Sequence, residues 1–376
     1  MSLSLRLVCN GKPVVGSVRL DVGGKVLSAA TDKRGEVVFR GVAPGSEPTI
    51  TAIPHSGYWQ TVYQGVPTSG EIHCEALPTD LSQPWWLALL GLLAPGVSAD
   101  GVSIGIIDNY FGPPWEEPPQ VPKVGGKKQL EQPTHGQLIA SLLTTHSDFP
   151  SPCPQASLKV ISAPSVDNPN RIGMAAVTEG IVALTDGGVD VISMSFGKYG
   201  ANDRGVRNSL EYAASRGVLL VAASGNSSLP SPAFPACDHR VVAVSGVAMP
   251  GYLPDNSLAF QSMAGFDSEA TLKLRKMAEG GLCFWLPSNE IDDQGVAAPG
   301  AGIIVRTPDG RLLDVVGTSF AAPLVAAAAA VLIAGKSSFR NRISDLDHNR
   351  KLLYSHCSLT DRSRANLTGR GIPVVA

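Results

Sequence analysis

Four polar residues of this chain have the side chains that acyl-transfer chemistry requires: Asp108, His135, Asn226 and Ser319. A serine hydroxyl attacks a carbonyl carbon, while an imidazole takes its proton and a carboxylate holds the imidazole in one tautomer. A side-chain amide stabilises the resulting oxyanion together with a backbone amide. The residue types therefore indicate a site in which Ser319 is the nucleophile, His135 the base, Asp108 its orienting carboxylate and Asn226 the oxyanion donor.

Ser319 stands just before a long apolar segment. It lies in the run Gly317-Thr-Ser-Phe-Ala-Ala-Pro323, followed by Leu324-Val-Ala-Ala-Ala-Ala-Ala-Val-Leu-Ile333. The apolar run predicts a buried helix, whose N-terminal amides and dipole favour developing negative charge at the serine. On this motif alone, an ordinary N-cap before an apolar helix is the more frequent explanation. The other three residues favour a nucleophile.

The elements that must position these side chains alternate between apolar strands and helices. Strands are predicted at 102–107, 158–161, 189–195, 218–223 and 240–245, with helices from His135, over 174–185 and over 204–215. Near-continuous Val, Ile and Leu runs separated by helices are typical of a parallel sheet covered on both faces. Ligands bind such sheets outside the carboxyl ends of the strands. Asp108 and Asn226 follow strands while His135 and Ser319 open helices, so we expect all four in one crevice.

The segments around these residues resemble the subtilisin-like serine proteases, the subtilases. The resemblance runs from about residue 84 to the C-terminus, and its most specific part is the Gly-Thr-Ser-x-Ala-Ala-Pro block. The matching segments are Ile106-Ile-Asp108, Thr134-His-Gly136, Val191-Ile-Ser-Met-Ser-Phe-Gly197, Ala222-Ala-Ser-Gly-Asn226, Ala298-Pro-Gly300 and Gly317 to Pro323. The resemblance implies an α/β subtilisin-like domain and a serine endopeptidase that forms an acyl-enzyme on Ser319.

The resemblance also implies where a peptide would bind. The segment from Ser193 to Gly197, with Ser195 and Phe196, corresponds to a strand that pairs with the substrate backbone in the family. Ser224 and Gly225 correspond to the wall of the pocket for the residue before the cut. These six positions are the candidate substrate-binding residues: Ser193, Ser195, Phe196, Gly197, Ser224 and Gly225.

Three residues depart from the family pattern close to the candidate triad. Asn109 and Tyr110 stand where Ser or Thr and then Gly usually follow the aspartate, and Gln137 stands where Thr usually follows His-Gly. None of them removes a reacting group, but Asn109 and Tyr110 are placed to alter how Asp108 meets His135. They leave open an alternative function, a catalytically degenerate subtilase fold that binds a partner through the N-terminal region.

A competing motif is the run Gly101-Val-Ser-Ile-Gly105, which matches the Gly-x-Ser-x-Gly elbow of α/β-hydrolases. That elbow needs a strand before the serine and a helix after it. Because Ser103 begins a predicted strand, we interpret the match as accidental.

Residues 1–78 have a different character. Short alternating strands lie between Gly and Pro turns and no helical period appears, so we predict a small all-β sandwich. The runs Gly11-Lys-Pro-Val14, Thr31-Asp-Lys-Arg-Gly35 and Gly57-Tyr58 resemble the transthyretin-like domains attached to carboxypeptidases. We expect a linker at 79–84, the peptidase domain at 85–376, and a retained accessory domain rather than a removed inhibitor at 1–78. A protein partner is a candidate for this region.

Composition narrows the remaining choices. A hydrophobic content of 44% with 16% charged residues predicts a sizeable core, and a net charge of −2 gives no reason to expect a nucleic-acid or anionic membrane partner. The most apolar stretch, residues 85–94, is far shorter than the ~20 residues that span a bilayer. Six scattered cysteines without Cys-x-x-Cys predict no zinc site, and no phosphate loop, cofactor motif or calcium loop is found. No export signal is recognised at the N-terminus, so we expect a cytoplasmic protein.

One segment, residues 250–293, has no counterpart in the family pattern. It contains the basic run Lys273-Leu-Arg-Lys276. A solvated surface excursion is the simpler interpretation, and the alternative hypothesis is that it borders the cleft, because it directly precedes Ala298-Pro-Gly300.

Overall fold

The computed structural model describes residues 2–43, 45–112, 114–115, 133–144, 149–165, 171–200, 202–264, 281–285, 287–335, 346–358 and 365–375. The strands are β1 (Ser2–Cys9), β2 (Lys12–Pro13), β3 (Gly16–Val22), β4 (Lys25–Ala30), β5 (Glu36–Arg40), β6 (Thr49–Pro54), β7 (Thr61–Gln64), β8 (Glu71–His73), β9 (Ser103–Asp108), β10 (Ser157–Ser162), β11 (Val191–Met194), β12 (Leu219–Ala223), β13 (Val241–Ala248), β14 (Cys283–Phe284), β15 (Val296–Pro299), β16 (Ala301–Arg306), β17 (Leu312–Val316), β18 (Cys357–Ser358) and β19 (Ile372–Pro373). The helices are α1 (Trp85–Leu89), α2 (His135–Leu143), α3 (Met174–Asp186), α4 (Arg204–Ser215), α5 (Leu258–Ala264), α6 (Thr318–Ala334), α7 (Leu346–Ser355) and α8 (Ala365–Thr368).

A seven-stranded sheet forms the centre of the larger region. Its order is β10-β9-β11-β12-β13-β14, with β15 also paired to β13. All of these pairs are parallel except β13 with β14. The carboxyl ends of β9, β11 and β12 therefore lie at the same edge, as predicted from the strand and helix alternation.

Helices cover both faces of this sheet. Successive residues of β12 point to opposite sides, so Leu219 packs in one buried cluster and Leu220 in the other. The first cluster contains α6, whose residues are almost all buried, together with the apolar side of α2. The second contains buried residues of α3 and α4. A mostly parallel α/β sheet with helices on both faces is thus confirmed, and the centrally buried α6 gives the serine at its head a rigid support.

In its described residues, 2–43 and 45–78, the N-terminal region contains strands and turns but no helix. Strands β1, β2, β5 and β8 form one four-stranded sheet, and β3, β4, β6 and β7 form another. Buried residues of both sheets, among them Leu7, Phe39 and Ile50, pack in a cluster separate from those of the larger region. The all-β character predicted for this part is therefore present.

The loop between β6 and β7 joins this region to β17. The Gly57 amide donates to the Leu312 carbonyl at 2.8 Å, and the Gln60 amide donates to Oδ1 of Asp314 at 3.0 Å. The Gln60 side-chain amide also donates to the Asp314 carbonyl at 2.9 Å. Trp59, on the same loop, is only 4% exposed and belongs to the cluster around α6. The two regions thus share buried surface next to the strand that leads to Ser319.

Among the described helices, none combines the length and apolar character needed to cross a membrane.

Candidate active site

The carboxylate of Asp108 and the imidazole of His135 form a direct pair. Nδ1 of His135 lies 2.9 Å from both carboxylate oxygens of Asp108. The Asp108 side chain is 2% exposed, whereas that of His135 is 37% exposed. A proton on Nδ1 is donated to the buried carboxylate, so the outward-facing Nε2 is left as the basic nitrogen. The predicted contact between these residues is therefore present.

Local structure explains how the pair is held. Asp108 is the last residue of β9, and His135 is the first residue of α2. The N-cap Thr134 accepts the Gln137 amide at 3.1 Å, and the Gln137 side chain accepts the Thr134 amide at 2.9 Å. This reciprocal capping box fixes the start of α2. Gln137, a departure from the family pattern, thus has a structural role at the end of the helix that carries the imidazole.

The imidazole responds to both its burial and its partner. Burial opposes its charged form, but the charge of Asp108 and its hydrogen bond favour that form and prevail, so the pKa of His135 lies above its ordinary 6.5. Below this raised pKa the imidazole is protonated and cannot accept a proton.

Ser319 is the second residue of α6, whose next residue, Phe320, contacts His135. The Phe320 ring packs against the His135 ring with centroids 5.8 Å apart, so the first turn of α6 lies next to the imidazole. Ser319 is half-buried, and its carbonyl accepts a 2.7 Å hydrogen bond from the Ser195 hydroxyl. Within the described residues, no direct hydrogen bond joins the Ser319 hydroxyl to His135. The structure therefore brings the helix turn that carries Ser319 next to His135, and the contact between the two side chains stays a prediction.

The Asn226 side chain is oriented by Thr318. Its Oδ1 accepts the Thr318 backbone amide at 3.0 Å and the Thr318 hydroxyl at 2.8 Å. Both bonds use the side-chain oxygen of Asn226, so its Nδ2 group faces Gly317. A Cβ atom added to Gly317 would lie 3.2 Å from this nitrogen. Gly317 adopts φ +138°, a conformation that favours glycine. The Nδ2 group of Asn226 therefore lies next to the backbone of Gly317, two residues before Ser319.

Thr318 is a residue whose role the sequence analysis missed. Its hydroxyl accepts the Gly225 amide at 3.2 Å while donating to Asn226, so it joins the loop after β12 to the first turn of α6. The signal was available in the motif, since a threonine precedes the serine, but its partner is 92 residues away. Only the fold brings them together.

Asn289 is a second such residue, and it holds the loop that carries Asn226. It is 0% exposed, and its Nδ2 donates to the Ser224 carbonyl at 2.9 Å. Its Oδ1 accepts the backbone amides of Ser227 and Leu229, each at 3.1 Å. One buried side chain thus ties together the two ends of the loop that carries the candidate oxyanion donor.

The contacts of Asn289 also show where the C-terminal end of segment 250–293 lies. Its contacts with the loop after β12 place the end of this segment beside the candidate site and favour the cleft hypothesis for that end. Residues 265–280 and 286, which include the basic run at 273–276, lie outside the described residues.

The candidate substrate-binding residues in the segment from Ser193 to Gly197 differ in their exposure to solvent. Ser193 pairs with Ile106 on one side and Val221 on the other, and its side chain is 0% exposed. Ser193 is therefore placed in the core of the sheet, because β11 has neighbours on both edges, and not at an edge open to a substrate. Ser195 is also buried, whereas Phe196 is half-buried and Gly197 is exposed.

The other two candidate residues, Ser224 and Gly225, also differ in their exposure to solvent. Ser224 is 0% exposed and is bonded to Asn289, so its side chain belongs to the scaffold. Gly225 is half-buried with φ +110°, and a Cβ there would lie 2.5 Å from the Tyr199 hydroxyl. Of the six candidate residues, Phe196, Gly197 and Gly225 are thus the ones with accessible surface, and the uncharged Tyr199 hydroxyl lies next to Gly225.

In the part of the chain that the structure describes, no group of three or more His, Cys, Asp or Glu side chains is arranged to hold a metal ion.

The fold and site define an α/β protein of subtilisin-like architecture, with a carboxylate–imidazole pair at the carboxyl ends of a parallel sheet beside the head of a buried helix. The subtilase family model matches residues 114–353, which include His135, Asn226 and Ser319 and begin after Asp108. The match covers more than half of the chain, and the protein belongs to the subtilase family.

Individual relatives agree with this assignment at low identity. Thermitase of Thermoactinomyces vulgaris is 28% identical over 209 residues, which are 55% of this chain and 63% of thermitase. Subtilisin DY of Bacillus licheniformis is 28% identical over 184 residues, 46% of this chain and 56% of that protein. The chain thus spans less than two thirds of the length of these relatives.

Among solved structures, a mutant of the protease domain of PatA is similar, with a TM-score of 0.53 and 23% identity, over 74% of this chain and 94% of that one. At this identity the likeness supports the fold alone.

Proposed function

We propose that the protein is a serine endopeptidase that hydrolyses peptide bonds through an acyl-enzyme on Ser319. The observation that carries the proposal is the buried carboxylate of Asp108 bonded at 2.9 Å to an imidazole beside the head of α6. Membership of the subtilase family and likeness to thermitase and subtilisin DY support the same activity.

The proposed reaction follows from the placement of these groups. Nε2 of His135 takes the proton of the Ser319 hydroxyl as Oγ attacks the scissile carbonyl carbon. The oxyanion accepts hydrogen bonds from Nδ2 of Asn226 and the Ser319 backbone amide. His135 then protonates the leaving amine, and water hydrolyses the acyl-enzyme by the same steps in reverse. Contacts of this kind often tighten only when substrate is bound, which fits the absence of a direct Ser319–His135 bond.

The substrate is proposed to be a peptide or protein chain that lies along Phe196 and Gly197. The surface next to Gly225 is formed by the Tyr199 hydroxyl and Asn289, both uncharged. Two further serines, Ser227 and Ser228, follow the oxyanion donor in sequence. We therefore expect no strong preference for Lys or Arg before the cut.

Digestion of a denatured protein by the full chain tests the proposal. An endopeptidase gives internal fragments by mass spectrometry. Binding of the denatured protein without any cleavage supports the degenerate binding protein instead. The departures that motivated that alternative do not favour it, because Gln137 and Asn109 are engaged in hydrogen bonds that support the Asp108–His135 pair.

Changing Asn226 to alanine is expected to lower kcat by ~10²–10³-fold while KM stays within about threefold, a loss known for the corresponding asparagine of subtilisin. The amide contributes in the transition state, where negative charge develops on the oxygen, and contributes little to binding the uncharged substrate. Peptide hydrolysis over a range of substrate concentrations measures both constants. Exposed Asn202 changed to alanine is the matched control. A rise in KM with unchanged kcat would contradict the assignment of Asn226 as oxyanion donor.

We further propose that residues 1–78 are retained as an accessory domain. The support is their burial against the larger region: Trp59 packs into the cluster around α6, and Gln60 is bonded to Asp314 on β17. Removing them would expose this apolar surface and the buried Asp314, which favours a retained domain over a removed inhibitor. A linker at 79–84 and a protein partner of this region stay predictions.

Burial of the Asp314 carboxyl group at its contact with Gln60 is expected to make stability depend on pH. Burial raises the pKa of Asp314 from 3.8 to about 7, despite hydrogen bonds from Gln60 that lower it. Between these values the unfolded chain releases a proton that the folded protein keeps, so the carboxyl group costs stability as pH rises from about 4 to 7. Changing Asp314 to asparagine removes this cost and keeps an acceptor for Gln60. We expect the Tm of the variant minus the Tm of wild type to increase by on the order of 5 °C from pH 4 to pH 8.

The control is Asp309→Asn on the same hairpin. Although partial burial favours its neutral form, hydrogen bonds from Thr307 and Arg311 lower the pKa of Asp309, so its effect has the opposite sign. Intact mass before each scan verifies that residues 1–78 are present, and their loss would itself contradict a retained domain. Equal Tm differences for Asp314→Asn at both pH values would contradict the account of this contact.

A further inference from the structure

The residues that depart from the family pattern around the triad lie together in the structure. Asn109 and Tyr110 follow the last residue of β9, and Gln137 lies in the first turn of α2. The sequence left open that Asn109 and Tyr110 alter how Asp108 meets His135. Their contacts instead connect the element that carries the carboxylate to the element that carries the imidazole.

Asn109 makes this connection with its backbone and its side chain. Its backbone amide donates to Oδ1 of Asp108 at 2.8 Å. Its side-chain oxygen accepts the amide of Gly136 at 3.2 Å and that of Tyr110 at 2.7 Å. A carbonyl oxygen has two lone pairs and can accept both bonds. One residue therefore binds the carboxylate directly and also binds the residue that follows the imidazole in the chain.

Close backbone contact strengthens the same junction. The Thr134 hydroxyl donates to the Tyr110 carbonyl. A Cβ at Gly136 would lie only 2.7 Å from that carbonyl oxygen and 3.3 Å from Cβ of Asp108. The helix can thus approach the strand end this closely only because residue 136 has no side chain. The amide of Gly136 is one of the N-terminal helix amides that lack a partner within the helix, and Asn109 provides that partner.

We propose that Asn109 is a positioning residue that fixes the Asp108 carboxylate against His135 by tying the end of β9 to the first turn of α2. It does so through Asp108 and the helix, without touching the substrate. Among the described residues, the charged group bonded to the imidazole is the carboxylate of Asp108, and the Phe320 ring packs nearby at 5.8 Å between centroids. The kinetic consequence rests on the proposed peptidase function, whereas the geometric one does not.

The decisive variants are Asn109→Ala, which removes the accepting oxygen, and Asn109→Asp, which keeps an oxygen in the same place. Exposed Asn208 on α4, changed to alanine, is the matched control. Each full-length variant is measured in three ways: thermal unfolding, NMR titration of the His135 imidazole, and the pH profile of kcat and KM for peptide hydrolysis.

For Asn109→Ala we expect the His135 titration and the acidic limb of kcat/KM to move to lower pH, because the loosened carboxylate raises the pKa of the imidazole less. Misplacement of the base is expected to lower kcat by about 10–100-fold, with KM within about twofold. Asn109→Asp is expected to recover kcat to within about tenfold of wild type, since both amides keep their acceptor.

An Asn109→Ala variant that keeps the wild-type His135 titration overturns the proposal, whatever happens to its Tm. A fall in Tm and kcat without movement of the titration shows a merely structural role and also overturns it. The NMR measurement needs no turnover, so a wild-type protein that hydrolyses nothing contradicts the peptidase function while the inference about Asn109 is still decided by the titration.

Discussion

Replacing Ser319 by alanine is expected to lower kcat for peptide hydrolysis by about 10⁶-fold, the size of the loss that subtilisin suffers when its nucleophile is removed. Without the hydroxyl no acyl-enzyme forms, and what remains is water attack assisted by the oxyanion donors. The fold is expected to persist, because Ser319 is half-buried at a helix end and its carbonyl, which accepts the Ser195 hydroxyl, is unchanged.

The measurement is hydrolysis of a fluorogenic peptide, with thermal unfolding as a check on folding. Ser215, an exposed serine at the end of α4, changed to alanine is the matched control and is expected to behave like wild type. Turnover by Ser319→Ala above about one per cent of wild type would exclude Ser319 as the nucleophile.

Changing Asp108 to asparagine is the second large effect, and we expect a loss of ~10⁴-fold in kcat, as found when the triad aspartate of a serine protease is made neutral with its geometry intact. The amide of asparagine can donate to Nδ1 of His135, which favours the tautomer with a proton on Nε2. That nitrogen then cannot accept the serine proton. The charge and the hydrogen bond that raise the pKa of His135 are also lost, and burial then lowers it.

Any residual activity of Asp108→Asn is therefore expected to show its acidic limb at lower pH than in wild type. The pH profile of kcat/KM measures this, with Asp100→Asn, an exposed aspartate, as the control. An unchanged limb together with nearly wild-type kcat would mean that Asp108 does not orient the base.

The positions of the reacting groups could be predicted because each follows a simple pattern. An apolar run ends at Asp108 and an amphipathic segment begins at His135, so the strand end and helix start were readable without a structure. The rule that parallel strands present their carboxyl ends at one edge then brought these residues together. The observed bounds, β9 ending at Asp108 and α2 beginning at His135, agree with this reasoning.

The parts that could not be predicted depend on contacts between distant loops. Asn289 is 65 residues from Ser224, whose carbonyl it binds, and no local pattern links them. Ser193 was assigned to the substrate because it lies in a matching motif, but it is paired on both edges inside the sheet. The sequence shows that Asn109 differs from the family pattern, but not which amides its side chain reaches.

The structure of the N-terminal region could likewise be predicted only in part. Its alternating strands predicted an all-β unit, and two four-stranded sheets are present. Its attachment through Gln60 and Asp314 joins residues 254 positions apart and was not foreseen. A buried carboxyl group at such a contact has no signature in the sequence, because any aspartate near a turn is first interpreted as solvated.

The most direct test of the convergence of Asp108, His135, Asn226 and Ser319 is to react the full-length protein with a fluorophosphonate and map the adduct by peptide mass spectrometry. We predict a single adduct on Ser319, forming more slowly as pH falls through the raised pKa of His135. An adduct on another residue, or a folded protein that takes up no reagent across that pH range, would contradict a serine nucleophile activated by this imidazole.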